Sequence, residues 1–359
     1  MKDKHEFYKP AFEKNNIAIA ITSSDEYAPF LGVLIESIIR NSSDCYNYDI
    51  IVLSKEITEK NKRLLLMEIA TKNNFSIRFF EIGSYLCNYK FHTGYHITPM
   101  TYCRLALVDV LKEYPKTIYL DCDVIINSDI AELYNCDMGN NFIAAAVDTV
   151  MAGLDNSPEK DAYRKEQLEY NINELGVKEV FKYFNAGIIV LNLKELRKKY
   201  NAEDLLDLAA SKDWKWFDQD VLNKICYGRV YLLEQKWNYM CHRLDAEGDS
   251  TEKLAPKEIY DAYCDAGINP KALHYCGRTT PCFAPLADNA YYFWKYARTT
   301  PFYELIIHKM IVESSTGISI WYSDRWFIRK IKSIVKLMCP FGSKRYAFLK
   351  KIYFRIFTK

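Results

Sequence analysis

Glycine and proline are scarce in this sequence, with 13 and 11 residues among 359. No Gly/Ser-rich or Pro-rich stretch separates one part of the chain from another, so no linker is visible. C-x-x-C pairs are absent; the eleven cysteines are scattered and odd in number. That pattern supports neither a disulfide framework nor a structural zinc site, and reduced spectator thiols are expected. No apolar run approaches the ~18–20 residues that cross a bilayer. The first residues, MKDKHEFYKPAFEKNN, lack the apolar stretch of a secretory signal. These absences predict a reducing, cytoplasmic protein whose membrane contacts, if any, are peripheral. No G-x-G-x-x-G follows the first apolar run, which removes the phosphate-binding signature of a dinucleotide dehydrogenase.

Acidic residues are missing from one end. Residues 325–359 hold eleven Lys/Arg and no Asp or Glu, so with a net charge of +2 the remainder carries +2 − 11 = −9. A mildly acidic body argues against nucleic acid as its partner, and the basic end points to a partner of its own. Hydrophobic residues at 49% and charged residues at 26% describe a globular chain with a sizeable core.

What is present is an alternation of strand-like and helix-like segments. Residues 17–22, 50–53, 76–82 and 117–120 read as strands; 31–41, 57–72 and 100–112 read as helices. Beyond residue 140 the pattern is mixed: 142–147 and 186–193 are strand-like, and 194–210 and 218–227 helix-like. This spacing predicts an α/β fold with a Rossmann-like, mostly parallel sheet, whose ligand sits at the carboxyl ends of the strands.

The polar residues after those strands therefore matter most. Asp121-Cys122-Asp123 follows the apolar Ile118-Tyr119-Leu120 and precedes Val124-Ile125-Ile126. Extended backbone turns both carboxylates to one side, where they can approach one cation and the phosphates it carries. Alone, the pair fits equally a strand end whose Asp cap a turn. Asp218-Gln219-Asp220 is a second instance of the spacing.

Taken with AITSSDEYAPFLGVLIESI, HITPMTYCRL, YFNAGIIVLNLKEL, WFDQDVLN and LHYCG, in this order between residues 17 and 281, the acid pair resembles glycosyltransferase family 8. The resemblance implies a GT-A fold that joins a nucleotide-sugar half to an acceptor half within residues 1–282. A helical segment, 283–324, and the basic tail, 325–359, follow. It further implies a retaining hexosyltransferase that moves galactose or glucose from a UDP-sugar to a cell-surface glycan. Asp121, Asp123 and His274 would hold Mn²⁺ (or Mg²⁺), a plausible oxygen and imidazole set, although His274 alone would read as structural. Thr22, Asp25, Tyr27, Arg104, Cys122, Asp148, Asn185, Gly277 and Arg278 would join them at the donor, His96 would face the acceptor, and Asp218 and Gln219 would lie nearest the reacting carbon. Ser24, Glu26, Thr280 and Cys282 depart from the family pattern; Arg278 could supply the charge that Thr280 lacks. A catalytically silent UDP-sugar scaffold and a UDP-sugar hydrolase are the rival readings.

In the tail, Phe327, Ile331, Ile334 and Met338 recur at helical spacing, with Arg329, Lys332 and Lys336 on another face. Phe348, Ile352 and Ile356 repeat the pattern after Pro340. Such segments suit the surface of an anionic membrane or, alternatively, an acidic protein face.

Overall fold

The structure, a computed structural model, describes residues 9–94, 98–155, 162–241, 251–276 and 279–312. Two compact units divide the chain, Met1–Ile306 and Ile307–Lys359. The fold that positions the site belongs to the first unit. The tail residues 325–359 lie outside the described residues.

Ten strands are present among the described residues: β1 Asn16–Thr22, β2 Asn47–Ser54, β3 Phe75–Glu81, β4 Thr117–Leu120, β5 Val124–Ile126, β6 Ile143–Val147, β7 Phe184–Leu191, β8 Val230–Leu232, β9 Tyr239–Met240 and β10 Ala272–His274. Seven form one sheet in the order β3-β2-β1-β4-β7-β6-β8. β1, β2, β3 and β4 pair in parallel, whereas β7 runs antiparallel to both β4 and β6. The expected mostly parallel α/β sheet is present, with β7 as its one reversed strand. Ile17 to Ile21 of β1 are at most 2% exposed. Such a continuous apolar run, rather than alternation, marks a strand covered on both faces.

A second, three-stranded sheet has the order β5-β10-β9. It is fastened to the helix Ala28–Asn41, whose Ser37 hydroxyl accepts from the Ile126 N–H at 3.0 Å. Asn41 of that helix donates to the Ile126 carbonyl at 2.9 Å. Two helix side chains thereby satisfy backbone groups that the short strand β5 would otherwise bury unpaired.

Two predicted helices differ from expectation. The 100–112 segment is a 3₁₀ helix over Pro99–Ala106 that becomes α-helical only at Leu107–Val110. The 194–210 segment breaks into Leu193–Leu196 and Ala202–Ala210, because Asn201 forms a reciprocal capping box with Asp204 and starts a new helix there. Ten cysteines among the described residues are all free, as expected for spectator thiols.

Candidate active site

β4 ends at Leu120 and β5 begins at Val124, so Asp121-Cys122-Asp123 is the connection between the two sheets rather than part of a strand. The Asp121 N–H still reaches the Gly187 carbonyl at 2.9 Å, which prolongs the β4–β7 pairing by one residue; Cys122 and Asp123 then form a turn rather than the extended backbone that the sequence suggests. Cys122 turns away, its thiol 2.9 Å from the Thr22 carbonyl. Asp121 and Asp123 turn the other way, toward His274. β10 delivers that histidine: its antiparallel register sets His274 opposite Val124, and the Tyr275 N–H donates to the Asp123 carbonyl at 2.9 Å. His274 Nε2 lies 3.3 Å from Asp123 Oδ1 and 3.9 Å from Asp121 Oδ2.

One ligand atom from each of Asp121, Asp123 and His274 falls within 4.8 Å of the others, and no other such set of three occurs among the described residues. The two carboxylates are partly exposed and the imidazole is buried, so the set opens on one side. Two oxygens and one nitrogen converging from a rigid sheet junction fit a divalent cation such as Mn²⁺ or Mg²⁺. Burial works against a charged imidazole, yet Cys276 and Asp123 beside it hold His274 well above the usual histidine range. Burial likewise raises Asp121, against the opposing pull of Arg104.

Behind the acid pair lies a buried cation. Arg104 is only 4% exposed. Its guanidinium stacks on Tyr119, 4.1 Å from the ring centre, and reaches Asp121 at 2.8 Å and Asp218 at 2.7 Å. It also donates to the Ala186 carbonyl. The 3₁₀ winding explains how one short segment does this, since residues three apart eclipse in that helix. Thr101 and Arg104 therefore share a face, and the Thr101 hydroxyl donates to the other Asp218 oxygen at 2.6 Å. Burial raises Asp218 to about 6, with Arg104 and Thr101 opposing the rise.

Asp218 is the second residue of the helix Phe217–Cys226, whose first residue, Phe217, sits in the left-handed region at φ +54°. A bulky residue there is strained. His92, stacked on the Phe217 ring at 5.6 Å, helps to hold it. Gln219 is tied at both ends of its amide: its oxygen accepts from the Ala186 N–H at 2.9 Å, and its nitrogen donates to Asp148 at 3.2 Å. Asp148 also accepts from Asn185 at 3.4 Å and from the Met151 N–H at 3.2 Å. Burial raises the Asp148 carboxyl. Asp148 and Asn185 project from the ends of β6 and β7 onto the side occupied by Gln219 and Asp218.

The structure thus brings Arg104, Asp121, Asp123, Asp148, Asn185, Asp218, Gln219 and His274 into one continuous hydrogen-bonded or ion-paired neighbourhood. Thr22 closes β1 beside Cys122, and Tyr27 packs edge-on against Phe30. Asp25 acts locally. One of its carboxylate oxygens accepts from the Thr58 N–H, the Thr58 hydroxyl and Asn61 at 2.7–2.8 Å, binding the loop after β1 to the start of the helix Glu59–Glu68. His96, Gly277 and Arg278 lie outside the described residues. Sequence reasoning passed over Thr101, Tyr119, Gly187 and Asn238. The Thr101–Arg104 spacing exposes the first only if the segment is taken as 3₁₀.

Comparison with known proteins agrees with this geometry. Residues 18–281 match the model of glycosyl transferase family 8. General stress protein A of Bacillus subtilis (strain 168) is 26% identical over 290 residues, covering 78% of this chain and 93% of that protein. A lipopolysaccharide 1,2-glucosyltransferase of Escherichia coli (strain K12) is 25% identical over 279 residues, covering 74% of this chain and 72% of that protein. Among solved structures, the WbbM bifunctional glycosyltransferase superposes with a TM-score of 0.75 at 29% identity, over 85% of this chain and 53% of that one. With a GT-A-like sheet, an Asp-x-Asp pair joined by a distant histidine, and a family match spanning most of its length, the chain belongs to glycosyl transferase family 8.

Proposed function

We propose that this glycosyltransferase moves galactose or glucose from a UDP-sugar to a cell-surface glycan such as lipopolysaccharide, keeping the anomeric configuration. The carrying observation is the convergence of Asp121, Asp123 and His274 beside the Arg104–Asp218 pair. The E. coli lipopolysaccharide glucosyltransferase supports the acceptor class and the hexose. Asp121, Asp123 and His274 would hold Mn²⁺ or Mg²⁺, which would stabilise the charge growing on the departing diphosphate.

The chain's own residues would do the rest. Asp148, Asn185 and Gln219 offer fixed acceptors and donors to sugar hydroxyls. Because their side chains are already anchored, they need little reorganisation when charge develops nearby. A double displacement needs a free carboxylate close to the anomeric carbon. Asp218 is 4% exposed and engaged on both oxygens by Thr101 and Arg104. That commitment favours same-face attack, with Asp218 acting as an electrostatic support and the leaving phosphate taking the acceptor's proton.

A panel of UDP-sugars with Mn²⁺ tests the donor. The true donor at 100 times its Kd adds about 2.7 kcal/mol to stability, and incubation with a lipopolysaccharide acceptor then yields an α-linked product. UDP release without a new glycan would mark a hydrolase; binding without turnover, a scaffold. The sequence pattern of residues 325–359 further supports a peripheral position on the cytoplasmic face of the membrane. Removing those residues should abolish sedimentation with anionic vesicles while leaving turnover of a soluble acceptor intact; unchanged sedimentation overturns it.

A further inference from the structure

Asn238 lies immediately before β9, 1% exposed, in a stretch the sequence did not single out. Its carboxamide bridges two residues of the site. One end is 2.9 Å from Asn185 Oδ1, and the other is 3.2 Å from His274 Nδ1. Side-chain amides and imidazoles can each be read in two orientations. Here one backbone group removes that freedom.

The Gly187 N–H lies 3.0 Å from the same Asn185 atom. A backbone N–H can only donate, so that atom is the Asn185 oxygen. The Asn185 nitrogen then points to Asp148 Oδ2 at 3.4 Å and Met240 Sδ at 3.5 Å, both acceptors, which agrees. An oxygen on Asn185 demands a nitrogen on the Asn238 atom that faces it. Asn238 must therefore present its oxygen to His274, and an oxygen acceptor demands a proton on Nδ1. The remaining nitrogen, Nε2, is the one that faces Asp123 and Asp121. Ring position is fixed as well as proton position. A Cβ built on Gly187 would lie 2.0 Å from His274 Cε1, so the imidazole rests directly on the backbone of β7.

We propose that Asn238 is a positioning residue of the metal site, which keeps a proton on His274 Nδ1 and so reserves Nε2 for the cation. This rests on the assignment of Asp121, Asp123 and His274 to a divalent ion, but not on which sugar is transferred. It also ties the cation's histidine to the residues that face the donor sugar, since the order of roles runs from Gly187 through Asn185 and Asn238 to His274. Outer partners of this kind are generally worth about 10–100-fold in metal affinity.

The test uses the full chain with selectively ¹⁵N-labelled histidine; there are six histidines to resolve. In the metal-free wild type, His274 Nδ1 carries an exchange-protected proton, assigned by its loss in His274→Gln. Asn238→Leu should lose the exchange protection of that proton and weaken Mn²⁺ binding, followed by electron paramagnetic resonance, roughly 10–100-fold. Asn238→Asp keeps an oxygen facing Nδ1. It should therefore retain the proton and hold Mn²⁺ within about threefold of wild type, even though it sets two acceptors against each other at Asn185. Should Asn238→Leu fail to fold, Asn238→Ala carries the same expectation. Retention of both proton and Mn²⁺ affinity in the Leu or Ala variant overturns the proposal. Equal loss of both in Asn238→Asp also overturns it, because only a general structural role would treat the two alike. If the wild type binds no Mn²⁺, the cation assignment fails on its own, and the protected proton still decides what Asn238 does.

Discussion

The chain contains the Asp-x-Asp spacing at 121–123 and again at 218–220, and the two pairs have opposite fates. Asp121 ends the pairing of β4 and Asp123 lies in the turn that follows, between two sheets, and both carboxylates converge on His274. Asp218 and Asp220 lie in the helix Phe217–Cys226, where residues two apart point nearly opposite ways. Asp218 turns to Arg104 and Thr101. Asp220, fully buried, accepts from the hydroxyls of Tyr170 and Tyr183 and from the Trp216 N–H at 2.7–2.8 Å. The spacing alone decides nothing: the local backbone and the partners around each carboxylate set whether one side is left open.

The largest expected contrast comes from breaking one acid in each pair. Asp123→Ala and, in parallel, His274→Ala should abolish metal-dependent UDP-sugar turnover with the melting temperature nearly unchanged. Asp220→Ala should do the reverse. It strands one buried donor, the Tyr183 hydroxyl, and two partly buried ones, costing roughly 2–3 kcal/mol in urea unfolding, while turnover per folded molecule survives. Full activity of either metal-site variant, or of EDTA-treated protein, would remove the distinction.

Arg104→Met comes next. It leaves the buried Asp218 and the partly exposed Asp121 without their shared cation, a loss of roughly 3 kcal/mol, at the low end for a broken buried pair. Chemical denaturation measures it, and a loss under about 1 kcal/mol, the scale of an exposed ion pair, would mean that Arg104 is a donor-binding group alone.

Asp218→Asn sharpens the comparison through pH. Burial raises Asp218 from 3.8 to about 6. The folded chain therefore holds a proton that the unfolded chain releases near the lower value. Between the two values the native state binds more protons, so this group's contribution to stability falls as pH rises. Unfolding free energies taken at several points between about pH 4 and pH 6 should decline less steeply in Asp218→Asn than in the wild type. Parallel curves would show that Asp218 is not the group titrating there.

The smallest effect belongs to Asp25→Ala, which removes the acceptor for Thr58 and Asn61 and should cost about 1 kcal/mol with KM for the UDP-sugar unchanged. A roughly tenfold rise in KM at constant stability, equivalent to about 1.4 kcal/mol of binding, would return Asp25 to the donor.

Much of the fold is legible in the sequence because the parallel half of the sheet is written in short, isoleucine-rich runs. Residues 117–120 form the strand that their apolar run predicts, and the strand expected at 17–22 gains only Asn16. The reversal of β7 is not legible. All eight of its residues are buried, and an apolar run covered on both faces reads the same in either direction. β10 is three residues long, too short for any periodicity, so His274 can be joined to Asp123 only through the family resemblance. The 3₁₀ segment Pro99–Ala106 reads as α because its apolar residues satisfy both periods. Asn238 gives no signal at all, since an asparagine between Trp237 and Tyr239 is also an ordinary turn residue.

The β5–β10 register has a consequence for biosynthesis. Asp121 and Asp123 emerge from the ribosome early, and His274 only near the end of the first unit. Pairing so distant in sequence forms late and slowly. A nascent chain that has completed β1 to β7 would carry both carboxylates without the third ligand, and would remain inert until β10 slots between β5 and β9. Under the metal assignment proposed above, a chain cut short before β10 would lack the histidine and could not turn over a nucleotide-sugar.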